Sequence, residues 1–182
     1  MPFPAFPRPA VPRLALISAL LLPTLPACTP PARAPATVSE AEICKSLIRV
    51  VDQAAARFEG LKGTQVVAAN VNQWSVPPVF PDSDCNVYEW GGGRTTFGCD
   101  WADTDQTSAA QTYAENAARL RACLGPAWKE QKQSGLTGQA SLFSRSSDTT
   151  HVVLRYFKPR GPFARNWATS LTVGDNVTPD AR

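Results

Sequence analysis

Cysteines, a run of carboxylates and one histidine are the residues here whose chemistry could do more than pack. Cys85 and Cys99 bracket Asn86-Val-Tyr-Glu-Trp90, three glycines, Arg94 and Thr95-Thr-Phe-Gly98. Both flanks are rich in β-branched and aromatic residues, and Gly91-Gly92-Gly93 can take the positive φ that a reversal needs. A hairpin centred on Gly92 sets Cys85 opposite Cys99, at about 4.5 Å between Cα atoms, which suits a cross-strand disulfide. A phosphate-cradling role for the glycines is disfavoured, because a strand and not a helix follows them. The carboxylates of Asp100-Trp-Ala-Asp-Thr-Asp105 suggest calcium, which takes about six to eight oxygens. Their spacing is not that of an EF-hand loop, and acids ahead of a helix are favoured by its dipole in any case. His151 is the sole histidine. No nucleophile-elbow motif accompanies it, so a Ser-His-Asp system is not indicated, and it reads as an exposed structural residue at the start of a strand. Zinc needs several His or Cys ligands, and the cysteines lack CxxC spacing. Nothing places Glu89 and an aspartate across a cleft as a glycosidase pair. The sequence thus names no catalytic residue, no metal site and no cofactor, and the expectation is a protein that is not an enzyme.

These residues must be carried by regular elements. Ser39-Glu-Ala-Glu42 is a capping box. Behind it Ile43, Leu47, Val50, Ala54 and Phe58 recur at helical spacing, predicting a first helix that stops at Gly60 and holds Cys44 in its first turn. Gln65–Trp74 reads as a strand of poor alternation, with helix as the alternative, and the proline-rich stretch 75–84 as loop. A second helix over 108–124 buries Ala110, Tyr113, Ala117, Leu120 and Leu124, ends at Gly125-Pro126 and carries Cys123 in its last turn. Residues 128–138 read as loop or a short helical tail. Three strands follow at 140–145, 151–157 and 167–173; in the middle one Val152, Leu154 and Tyr156 share a face, opposite His151, Val153, Arg155 and Phe157. The expected fold is α+β, with two helices on one face of an antiparallel sheet of about five to six strands. A helix-plus-meander unit used twice would fit this order. Four thiols can pair in three ways. Antiparallel helices on one sheet face would bring Cys44 to Cys123, which favours that pair together with Cys85–Cys99.

The amino-terminal stretch is different in kind. Residues 1–13 are proline-rich with only positive side chains, Leu14–Leu22 are mostly apolar, and Leu25-Pro-Ala-Cys28 follows, the order of a secretory leader. The apolar run is shorter than the roughly 20 residues that span a bilayer. Leu25, Ala27 and Cys28 resemble the lipobox of bacterial lipoproteins; Pro26 stands where that family usually has Ser, Ala or Thr. The resemblance covers the leader alone. It implies that Cys28 becomes the lipid-bearing first residue of the mature chain, with cleavage after Ala27 without lipid as the alternative. Lipidation would also leave an even four cysteines for disulfides. The expected organisation is a signal peptide over 1–27, a Pro/Ala-rich tether over 28–38 and one domain over 39–182.

The chain has 18 basic and 15 acidic residues. Removing Arg8 and Arg13 with the leader leaves 16 against 15, too even a balance to suggest nucleic-acid binding. The charges are unevenly placed. Six acids and one base lie between Asp82 and Asp105, while Arg145, Arg155, Lys158, Arg160 and Arg165 meet a single acid, Asp148. Such a split is either a pair of solvated faces or a docking surface. Five tryptophans are many for 182 residues, and Trp90 at the glycine turn, beside Arg94, has the chemistry of an interface anchor. The expectation is an exported cell-envelope protein, anchored to a membrane through Cys28 and facing the periplasm. It would bind another macromolecule through Trp90, Arg94, Arg155, Lys158, Arg160 and Arg165. A small envelope hydrolase is the alternative.

Overall fold

Ser39 opens the first helix, α1 (Glu40–Gln53): the Glu42 N–H donates to Ser39 Oγ at 3.3 Å and the Ser39 N–H to Glu42 Oε2 at 3.0 Å. The structure, a computed structural model, describes residues 38–178 apart from 68–70, 104, 136, 161–165 and 176. The leader 1–27, Cys28 and the tether through residue 37 lie outside the described residues. Ile43, Leu47 and Val50 are buried as their spacing predicts. The helix ends at Gln53 rather than at Gly60, because the chain turns over Ala54–Phe58 to seat Phe58 against Phe97, ring centroids 6.3 Å apart.

Among the described residues eight strands follow: β1 (Gln65–Val66), β2 (Asn72–Val76), β3 (Asp84–Trp90), β4 (Arg94–Ala102), β5 (Lys129–Gly135), β6 (Gly138–Ser144), β7 (Thr150–Phe157) and β8 (Ala168–Asp175). The second helix, α2 (Gln106–Leu124), lies between β4 and β5 and is capped by Asp105, whose Oδ1 accepts from the Thr107 and Ser108 N–H groups. Every pairing is antiparallel, in the order β1-β2-β3-β4-β8-β7-β6-β5. The expected five to six strands are corrected to eight. The reason lies in β1, two residues long, and β5, read from sequence as loop or helical tail. Only Glu130 of β5 is even half-buried, so no apolar alternation announces it; Lys129 and Lys132 on such an edge strand also discourage pairing with another chain.

Each helix leads into a four-stranded meander, and the two meanders meet at β4 and β8. The halves correspond closely in burial. A shift of 66 residues carries the buried Ile43, Leu47, Val50, Val51, Ala54 and Phe58 onto the buried Ala109, Tyr113, Asn116, Ala117, Leu120 and Leu124. A shift of 67 carries Val76, Cys85 and Val87 onto Phe143, Val152 and Leu154, and one of 74 carries Phe97 and Cys99 onto Leu171 and Val173. The last shift also exchanges Gly98 with Thr172, which face each other across the β4–β8 junction. The order of helix and meander thus recurs in the two halves, which meet in the middle of the sheet.

The helices cover one sheet face. Beneath them Val87, Phe97, Leu154, Leu171 and Val173 form the centre of the core. Both disulfides adopt the expected pairing: Cys85–Cys99 joins facing residues of β3 and β4 with Cα atoms 4.1 Å apart, and Cys44–Cys123 joins α1 to α2 with Cα atoms 4.8 Å apart. Two disulfides suggest an oxidising, exported environment. Among the described residues no helix is long and apolar enough to cross a membrane. Cys44–Cys123 spans 79 residues and Cys85–Cys99 spans 14. Loop-closure entropy then assigns about 4.5 kcal/mol to the first and about 3 kcal/mol to the second. Urea unfolding should accordingly show Cys44→Ala/Cys123→Ala losing more stability than Cys85→Ala/Cys99→Ala; the reverse order would mean that the helix pair is held by packing alone.

Candidate functional site

The sheet face without helices carries the site. Strand pairing lays its side chains out as a grid. Along one row Asp84, Asp100, Ser170, Arg155 and Ala140 face one another across five strands; the next row holds Asn86, Gly98, Thr172, Val153 and Leu142, and the third Tyr88, Thr96, Gly174, His151 and Ser144. Trp90 faces Arg94 at the turn end of the β3–β4 hairpin. Small residues in the middle strands and large ones beside them leave a cleft of about 610 Å³, whose lining includes Tyr88, Trp90, Arg94, Thr96, Gly98, Asp100, Val153, Arg155, Ser170 and Thr172, and also Asp175, Val177 and Thr178.

The walls are fixed by specific contacts. The Trp90 indole donates from Nε1 to Thr96 Oγ1 at 3.1 Å, and its ring stacks on Tyr88 with centroids 6.0 Å apart and planes 27° apart. Tyr88 lies over Gly98: a Cβ there would stand 3.1 Å from the tyrosine Cε2, so the glycine is what lets the ring lie down on the sheet. The hairpin tip is tied back by Arg57, whose guanidinium donates to the Gly93 carbonyl. On the far wall Arg155 donates from Nε to Ser170 Oγ at 3.0 Å, and its guanidinium sits 4.5 Å from the centroid of the Phe157 ring.

Asp100 brings a carboxyl to the cleft. Its rim is open to solvent, yet the surrounding strands strip enough water to push its pKa up. The Arg155 charge opposes that rise and the Asp84 charge adds to it. Partial burial, and after it the negative charge of Asp100, raise the Tyr88 phenol.

On the helix side a polar chain runs through the core. Ser141 donates to Glu130 Oε1 at 2.6 Å, which leaves Tyr113 to donate to Ser141 at 2.6 Å, while Arg121 grips Glu130 from Nε at 2.8 Å and from Nη2 at 3.3 Å. Burial alone would raise the Glu130 pKa, but the hydrogen bonds from Arg121 and Ser141 outweigh it and hold the carboxylate below its usual range. This chain ties α2 to β5 and β6. A hollow of about 470 Å³ beside it is lined by Arg121, Trp128 and Glu130 among others.

Three of the residues singled out in the sequence, Trp90, Arg94 and Arg155, line the one cleft. Lys158 and Arg160 are exposed just beyond the end of β7, and Arg165 lies outside the described residues. Arg145, part of the same basic run, is engaged elsewhere: it pairs with Asp148 at 2.8 Å and sits 5.3 Å over the Trp128 ring. His151 is half-buried rather than exposed, because its Nδ1 meets the Val177 carbonyl at 3.3 Å. The carboxylates of 100–105 disperse: Asp100 faces the cleft, Asp103 accepts from Thr112 Oγ1 at 2.9 Å, and Asp105 caps α2. Among the described residues no group of three or more His, Cys, Asp or Glu could hold a metal ion. Sequence reading missed Tyr88 and Gly98 as site residues, although the period of two from Trp90 and the Gly92-centred register place both on its face. It had no means of finding Ser170 and Thr172, brought in by pairing across some seventy residues.

The raised Asp100 pKa makes its ionised form a burden on the fold. Its contribution is favourable below the unfolded carboxylate pKa of about 4 and is lost as pH rises through the folded value. Asp100→Asn should therefore raise the melting temperature at pH 7, with a gain that fades as the pH is lowered below about 4; a gain that persists in acid would assign the effect to something other than ionisation. The chain matches no known family, no curated protein and no solved structure.

Proposed function

We propose that this chain is an exported cell-envelope protein, lipid-anchored through Cys28 and facing the periplasm, whose domain binds another envelope macromolecule on the open face of its sheet. The observation that carries the reading is the cleft of about 610 Å³ at the centre of that face. It combines an exposed aromatic, Trp90, with the guanidinium groups of Arg94 and Arg155, the residue types that anchor interfaces. Lys158 and Arg160 extend the basic surface beyond β7. Two disulfides support an exporting compartment, and a leader ending in Leu25-Pro-Ala-Cys28 supports the anchor. A tether of Pro and Ala would hold the domain off the membrane and leave the sheet face free to engage.

The alternative of a small envelope hydrolase draws support from one observation, the raised pKa of Asp100 inside the cleft, a feature that clusters at catalytic sites. Asp100→Asn separates the two readings, since a general acid would be lost whereas a binding surface would keep its partner.

A photo-cross-linking residue at position 90, in the producing cell, should form a discrete adduct that Arg94→Ala/Arg155→Ala weakens. The same residue at Glu115, exposed on α2, should form none. Equal labelling from both positions, or none from position 90, would contradict a binding role for the open face.

A further inference from the structure

We infer that the cleft takes a short saccharide carrying one carboxylate. This rests on the reading of the open sheet face as the binding surface and names what that surface recognises. Tyr88 and Trp90 occupy successive open-face positions of β3, and the Trp90 ring, stacked on Tyr88 at 27° from parallel, makes an aromatic wall of the cleft. Trp90 is 41% exposed and is oriented by its bond to Thr96. Sugar rings present an apolar C–H face that fits such a wall, and their hydroxyls both donate and accept. The floor answers in kind: Thr96, Ser170 and Thr172 are hydroxyl side chains that donate and accept. The volume of about 610 Å³ falls within the roughly 300–1,000 Å³ of small-molecule sites.

The charge of the lining sets the number of carboxylates. Arg94 makes no hydrogen bond or ion pair among the described residues, and a guanidinium is built for bidentate carboxylate recognition. Arg155 already serves Ser170. Asp100 and Asp175 line the same cleft and would repel a polyanion, which disfavours nucleic acid despite the aromatic wall. A bound peptide strand would add to a sheet edge, whereas this cleft lies over β3, β4, β8 and β7, with other strands on both sides.

The test is a titration of the detergent-solubilised full chain, followed by tryptophan fluorescence and calorimetry. The two probes are the disaccharide of N-acetylglucosamine and N-acetylmuramic acid, whose lactyl group bears a carboxylate, and di-N-acetylchitobiose, which lacks it. The acidic disaccharide should bind at least about tenfold more tightly, the range of a charge-assisted bidentate contact. Arg94→Gln should abolish that preference, and Trp90→Ala should weaken both sugars by roughly tenfold. Both side chains are exposed at a hairpin tip, so circular dichroism should match the unsubstituted chain. Equal affinity for the two sugars, binding of neither, or a preference that survives Arg94→Gln would overturn the inference. If both sugars fail while a cross-linker at position 90 still captures a protein, the saccharide is wrong and the open-face reading stands; if the cross-linker fails as well, both fall.

Discussion

The pairing of β4 with β8 is the contact on which the rest of the molecule depends. It runs from Phe97 opposite Val173 to Ala102 opposite Ala168 and joins two meanders that are otherwise separate. A small sheet is stable only with an apolar face to bury, and here the central stripe of that face, Phe97, Cys99, Leu171 and Val173, is contributed jointly by the two halves. The same pairing builds the cleft floor on the other side, setting Gly98 beside Thr172 and Asp100 beside Ser170. One junction thus supplies both the core beneath the helices and the floor of the cleft on the opposite, open face. Because strand residues alternate between faces, the large apolar residues at odd positions of β4 leave the small and polar even positions to the cleft.

The two disulfides reinforce this junction from different sides. Cys85–Cys99 fixes the register of the hairpin that carries Tyr88, Trp90 and Arg94, so the aromatic wall cannot slip by a residue and turn its rings into the core. Cys44–Cys123 binds α1 to α2, one helix from each half, and keeps the two repeats together on the covered face. The hairpin that carries the cleft and the closure of the domain are therefore both cross-linked, which suits an oxidising, exported environment.

Much of this was legible in the sequence, and the limits are physical. The hairpin register followed from three glycines and two cysteines, and the helices from capping residues and apolar stripes. The pairing of Cys44 with Cys123 followed from placing the two helices on one face. What stayed hidden was non-local or unpatterned. The edge strand β5, Lys-Glu-Gln-Lys-Gln-Ser-Gly, has no apolar face to reveal it, and the encounter of β4 with β8 leaves no mark on either strand alone. The basic run from Arg145 to Arg165 looked like one surface, yet β7 sends Arg155 into the cleft while a turn ties Arg145 to Asp148 and Trp128. The buried chain from Tyr113 through Ser141 to Glu130 was equally unreadable, since its members come from three separate elements.

The proposed exported, tethered and disulfide-closed binding domain makes a joint demand on the covalent state of the mature chain. Intact mass of the protein taken from its own host, before and after reduction with thiol labelling, tests that demand most directly. The account predicts a chain beginning at Cys28 with a lipid-sized addition and four thiols that label only after reduction. An unprocessed amino terminus, or thiols that label without reduction, would contradict it. Cleavage at Cys28 without lipid would place the fault at Pro26 and make the domain a soluble exported binder.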